Sequence, residues 1–177
     1  MKVPKDHINI LHIGDTNMPF LSSKLGHSAI SSPRMEPFDM ITVLLRDDIA
    51  YQHIHAVHVQ FGQYELVSLP YEYNLRGTDA RKNLKNLLNH INQLIDILPA
   101  KIVDNLKAAH RLITKRGVPD LMVSTWARFG QRDQDHTIGV KEAVDNVIFA
   151  VNTAIRSYVN EPLPLESFIF CMDIWRE

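Results

Sequence analysis

The sequence predicts an α/β domain, a three-layer sandwich with a mostly parallel sheet of about five strands. Three observations carry this. Strand-like and helix-like segments alternate along most of the 177 residues, the pattern of a parallel sheet covered by helices on both faces. The strand-like runs end at loop residues such as Gly14 and Gly62. The composition, 45% apolar and 22% charged, is that of a globular chain. A domain of this size buries about 70% of its unfolded surface, enough for one sizeable core.

The elements follow in order. Ile8 to Ile13 is short, apolar and bounded by Gly14, as a strand entering a loop should be. Pro19 to Gly26 fits a helical turn or two, and His27 to Pro33 a short strand and turn. Met40 to Asp48 stays open: its β-branched residues favour a strand, whereas Phe38, Ile41, Leu44, Leu45 and Asp48 trace a helix face. Ala56 to Phe61 is a strand ending at Gly62, and a loop with Pro70 and Gly77 is expected after it.

The clearest helix follows, with Thr78 as its cap and Asp79 in its first turn. Leu84, Leu87, Leu88, Ile91, Leu94, Ile95 and Leu98 recur at intervals of three and four, and Pro99 is expected to stop the run. A short strand over Ala100 to Val103 comes next. Leu106, Ala109, His110 and Ile113 mark a further helix that ends at Gly117. Val118 to Ser124 reads as a strand with Pro119 near its start. Val140, Val144, Val147, Ile148, Val151, Ala154, Ile155 and Tyr158 form a long helical stripe. The expected domain spans residues 1–160. Residues 161–177, with the apolar run Phe168 to Trp175, form a C-terminal extension that packs on the domain or on a partner.

Charge and cysteine content exclude several classes. With 19 basic and 20 acidic residues, neither nucleic acid nor an anionic membrane is an expected partner. No run approaches the ~20 apolar residues of a membrane span, and the first residues lack the apolar core of a signal peptide. A cytoplasmic location is expected. The single cysteine, Cys171, excludes an intramolecular disulfide and a cysteine-rich zinc site, and its apolar surroundings favour burial. His53 and His55 share one strand face and invite a metal, but no carboxylate completes a recognised ligand spacing. No metal and no cofactor are expected.

One polar constellation carries chemistry. Asp133-Gln134-Asp135-His136 lies in a polar stretch ahead of the last long helix. An Asp and a His three residues apart can set a carboxylate against an imidazole, the orienting half of a hydrolytic triad. Asp135 is the other carboxylate within reach. At the far end of the chain, Gly14-Asp15-Thr16 follows a strand and offers a hydroxyl. In an open parallel sheet, loops after strands gather at the carboxyl edge, where ligands bind. The plain structural alternatives are a strand-to-helix turn capped by Asp15 or Thr16, and a solvated polar loop at 133–136. Trp126 and Phe129 either line a pocket beside that loop or pack in the core.

Taken in order, these segments resemble the GDSL/SGNH hydrolase superfamily, and within it the PC-esterase-like branch. Ile10 to Thr16 is similar to the nucleophile block. Val57 to Leu66 is similar to the third block, Asn83 to Pro99 to the helix after it, and Asp133 to His136 to the closing DxxH. The likeness spans about residues 8–158 and rests on the order of several individually weak blocks. It implies an SGNH/flavodoxin-like fold and hydrolysis of a small-molecule ester. Thr16 stands at the nucleophile position, His136 is the base and Asp133 its orienter. Asp15, Gly26, Gly62, Gln63 and Tyr64 are the implied oxyanion and substrate-binding positions.

Two departures stand out. The family nucleophile is serine, and threonine's extra methyl restricts χ1 and crowds the attack path. The third block holds no asparagine, and Gln60, Gln63 and Tyr64 are its polar residues. Losing one oxyanion donor costs about 10²–10³ in rate. Ser22 and Ser23 are displaced hydroxyls without motif support. The alternative is therefore a non-catalytic member of the same fold that binds a ligand or a protein, with self-association through the C-terminal tail as a further expectation.

Overall fold

The structure is a computed structural model in which residues 8–14, 28–32, 34–129, 138–161 and 169–172 are described. Five strands form one sheet: β1 (Ile10–Gly14), β2 (Ser28–Ser31), β3 (Ala56–Val59), β4 (Asp120–Ser124) and β5 (Ile169–Met172). Their spatial order is β2-β1-β3-β4-β5, and every pairing is parallel. Among the described residues, four α-helices lie between them: α1 (Pro37–Leu44), α2 (Gln63–Glu72), α3 (Ala80–Lys115) and α4 (Ile138–Val159). Among the described residues no helix is long and apolar enough to cross a membrane.

The register of the sheet sets the core. Leu11 pairs with Val57 and Val57 with Leu121, while Ile13 pairs with Val59 and Val59 with Val123. Alternate residues of a strand share a face, so these six line up on one side. All six are buried. Val59 and Val123 border a small gap together with Ile102 and Leu106 of α3 and Ile155 of α4, so these two helices pack beside that part of the sheet. Strands buried on both faces read as near-continuous apolar runs, and the sequence of β1, β3 and β4 does so except at His12, His58 and the two end residues of β4, Asp120 and Ser124.

Met40 to Asp48 resolves into helix and turn. Pro37 opens α1, and Glu36 and Asp39 form a reciprocal capping box ahead of it. Met40 and Leu44 face inward. That box satisfies donors which a strand would have left to a neighbour.

The largest difference from expectation is α3, which runs through Pro99 for 36 residues. A proline in a helix interior costs about 3 kcal/mol. The stripe Leu87, Ile91, Leu94, Leu98, Ile102, Leu106, Ala109 and Ile113 is buried throughout. Each large apolar side chain in it contributes about 1.5–3 kcal/mol, so the stripe outweighs one proline several times over. The helix absorbs the short strand expected at Ala100 to Val103 and the separate helix expected after it. It starts with Asp79 at its cap position, which makes no side-chain cap bond. It stops where expected: Gly117, at φ 83°, donates to the Thr114 carbonyl at 3.0 Å, and Val118 donates to that of Ile113 at 3.0 Å. This pair of bonds with a left-handed residue is a Schellman stop.

The loop expected after Gly62 is instead α2, which contains Pro70. Leu66 and Leu69 bury one side of it. Proline sits near its end, where few carbonyls lose a donor. The Tyr73 hydroxyl meets His90 Nδ1 of α3 at 3.1 Å just beyond.

Candidate active site at the carboxyl edge of the sheet

The strand order reverses between β1 and β3, and in such sheets the crevice beyond the carboxyl ends at that point is the ligand site. β1 releases the chain at Gly14, directly before Asp15 and Thr16. β4 releases it at Ser124, ahead of the stretch that carries Asp133 and His136. One strand, β3, separates the two. Neighbouring strands lie about 4.8 Å apart, so the two exits are roughly 10 Å apart across the sheet.

Thr16, Asp15, Gly26, Asp133, Asp135 and His136 lie outside the described residues, as do Ser22 and Ser23. Gly62, Gln63 and Tyr64 are described, and they form the edge after β3. Gln60 continues the ladder, donating its N–H to the Ile13 carbonyl at 3.0 Å. Gly62 turns the chain into α2 with φ 80°, a left-handed value that glycine adopts without cost. A Cβ at this position would sit 2.8 Å from Ile102 Cδ1. Both backbone angle and space therefore call for glycine. The Gly62 N–H donates to the Met35 carbonyl at 2.8 Å. The Gln63 side-chain amide donates to the Ala127 carbonyl at 2.7 Å, tying the edge of β3 to the loop after β4. Tyr64 lies under the Arg34 guanidinium, 4.8 Å from its ring centre.

The loop after β4 is held by helix α4 at two points. Asn152 accepts from the Trp126 N–H at 2.7 Å and donates to the Trp126 carbonyl at 2.9 Å. Asp145 accepts from the Phe129 N–H at 3.0 Å and pairs with Lys141 at 2.7 Å. Trp126 and Phe129 are core residues, and the Trp126 indole N–H donates to the Phe61 carbonyl at 3.1 Å. The entry to residues 130–137 thus has a fixed position and direction. Sequence reasoning missed Asn152 and Asp145. The available signal was a polar residue set between Ile148, Val151 and Ile155 in an otherwise apolar stripe.

It also missed the polar chain in the sheet. His12 Nδ1 lies 2.9 Å from His58 Nδ1, and His58 Nε2 lies 2.7 Å from Ser124 Oγ. All three side chains are buried. Burial, reinforced by the neighbouring His12, pushes His58 down to about 4 because a charged imidazole there would be poorly solvated. The signal was a histidine inside each of two apolar strands, where any polar side chain needs a buried partner. His53 and His55 lie outside the sheet. His53 ends a 3₁₀ turn, and His55 Nδ1 accepts from the Asn9 N–H at 3.0 Å.

No protein-family model matches the sequence, and no curated protein does. Two solved structures are similar to it. One is an extracellular lipase from Streptomyces rimosus, with a TM-score of 0.58 and 13% identity over 94% of this chain and 80% of the lipase. The other is phospholipase A1 from Streptomyces albidoflavus NA297, with a TM-score of 0.59 and 9% identity over 92% of each chain. Identities this low establish a shared fold alone, the α/β sandwich of SGNH/flavodoxin-like type that the alternating segments predict.

Proposed function

We propose that this protein hydrolyses a small-molecule ester, with Thr16 as nucleophile, His136 as general base and Asp133 as the group that orients it. One topological observation supports this most directly. The strands that lead to Thr16 and to His136 flank β3 and release the chain at the same sheet edge. The roughly 10 Å between the exits is a span that two loops with inward-reaching side chains can close.

In this reading the Thr16 hydroxyl attacks the ester carbonyl while His136 takes its proton. The alcohol leaves with that proton and an acyl-threonine remains. Water then attacks, gives a proton to His136 and releases the acid, and the proton returns to threonine. Asp15, Gly26, Gln63 and Tyr64 are the positions proposed to meet the substrate or the oxyanion. Gly62 contributes its conformation, since its N–H already serves Met35.

The test is hydrolysis of short-chain p-nitrophenyl esters by wild type, Thr16→Ala and His136→Ala. The expected outcome is activity in the wild type and a loss of at least about 10³-fold in each variant. Activity that survives both substitutions overturns the assignment.

A second reading is a non-catalytic binder on the same fold. Its support is that Gly62 and Gln63, donors of the third block, are already engaged by Met35 and Ala127. Wild-type inactivity across a broad ester panel is the outcome that favours it.

A further inference from the structure

Three buried polar side chains cross the middle of the sheet on three adjacent strands. His12 of β1, His58 of β3 and Ser124 of β4 are 1%, 0% and 2% exposed. The two imidazole rings meet edge to face at 82°. His58 is neutral near pH 7, since burial holds it at about 4. A neutral imidazole has one donor nitrogen and one acceptor nitrogen, and both nitrogens of His58 are in contact. Its two bonds therefore cannot be set independently. If its Nδ1 donates to His12, its Nε2 is bare and accepts the Ser124 hydroxyl hydrogen. If His12 Nδ1 donates instead, His58 Nε2 carries the hydrogen and donates to Ser124 Oγ. Any mixed state buries two facing hydrogens or two facing lone pairs, which a low-dielectric interior penalises.

We propose that His12, His58 and Ser124 act as one positioning relay, setting the strand that leads to Thr16 and the strand that leads to His136 in concert; its catalytic consequence rests on the hydrolase reading above. His12 lies four residues before Thr16, and Ser124 is the last residue of β4, nine before Asp133. The relay touches no substrate. It acts by fixing two strand ends whose loops carry the reacting groups, and catalysis is sensitive to displacements of about 1 Å.

The experiment is nitrogen NMR of the histidine rings together with ester kinetics, on wild type, Ser124→Ala and Ser124→Thr. His12 and Ser124 are not bonded to each other, yet Ser124→Ala is expected to shift the ring nitrogens of His12. Ser124→Thr, which keeps the hydroxyl, is expected to leave them as in wild type. On an ester that wild type cleaves, Ser124→Ala should lower kcat by about 10- to 100-fold at unchanged KM, and Ser124→Thr should restore it. Should Ser124→Ala fail to fold, Ser124→Cys, with its weaker donor, takes its place. His12 nitrogens that ignore the loss of the hydroxyl overturn the relay, and a kcat that ignores it overturns its role in positioning. If wild type cleaves no ester, the hydrolase reading fails by itself, while the nitrogen shifts still decide whether the three groups are coupled.

Discussion

The two faces of β1, β3 and β4 are built on opposite terms. On one face, Leu11, Ile13, Val57, Val59, Leu121 and Val123 are buried in the apolar core, Val59 and Val123 beside α3 and α4, through contacts that are individually weak and mutually replaceable. On the other face, His12, His58 and Ser124 depend on two short hydrogen bonds whose donor and acceptor roles are coupled through one ring. The first face tolerates change in proportion to the volume removed. The second fails in steps, because a buried polar atom either has its partner or lacks it. Stability is therefore spread over one side of the sheet and concentrated at a few atoms on the other.

The largest expected effect tests the apolar face. Leu106 is fully buried against β3 and β4. Leu106→Ala should cost about 3–4 kcal/mol, measured as the shift in denaturation midpoint at constant slope. A loss below about 1 kcal/mol would mean that the site collapses and that the contrast between the faces is overstated.

The second is specific to the polar face and depends on pH. His58 has a folded value of about 4 against the ordinary 6.5. The folded state favours the neutral ring, so full stability is present above pH 6.5. As pH falls the unfolded chain takes up the proton first. Stability then declines between pH 6.5 and about 4, by about 3 kcal/mol in all. His58→Gln, which does not titrate, should flatten this part of the melting-temperature profile. Equal slopes in wild type and variant would show that other groups govern the acid limb.

The smallest effect crosses the two faces. Val123→Thr keeps the shape of a buried side chain but places a hydroxyl among the apolar side chains of Val59, Leu106 and Ile155. It should cost about 2 kcal/mol. A neutral result, read by the same denaturation measurement, would show that the apolar face supplies polar partners after all.

Much of this fold can be read from the chain, and the parts that cannot have physical reasons. β1, β3, β4 and α4 follow from apolar runs and stripes whose period matches their structure. Pro99 misled, since local propensity assigns it a stop while the buried stripe on either side overrides it. Pro70 misled in the same way, with Leu66 and Leu69 as the overriding contacts. Met40 to Asp48 was undecidable by period and was settled by Glu36 and Asp39, whose reciprocal bonds lie before the segment. At the candidate site, the edge position of Gly62 to Tyr64 was legible because a strand run ends there. Asn152 and Asp145 were not, because their partners are backbone groups of a loop 26 and 16 residues away. The pairing of His12 with His58 needs the register of two strands distant in sequence, which no local pattern contains.

Asn152 does for Trp126 what an adjoining strand would do, offering one acceptor and one donor to the same peptide group. The chain can then leave the sheet without orphaning its backbone. With Asp145 as the second peg at Phe129, the path by which the chain leaves β4 is fixed at two points. Such an arrangement lets the stretch between the pegs and the last long helix change length or composition during evolution while the core stays intact.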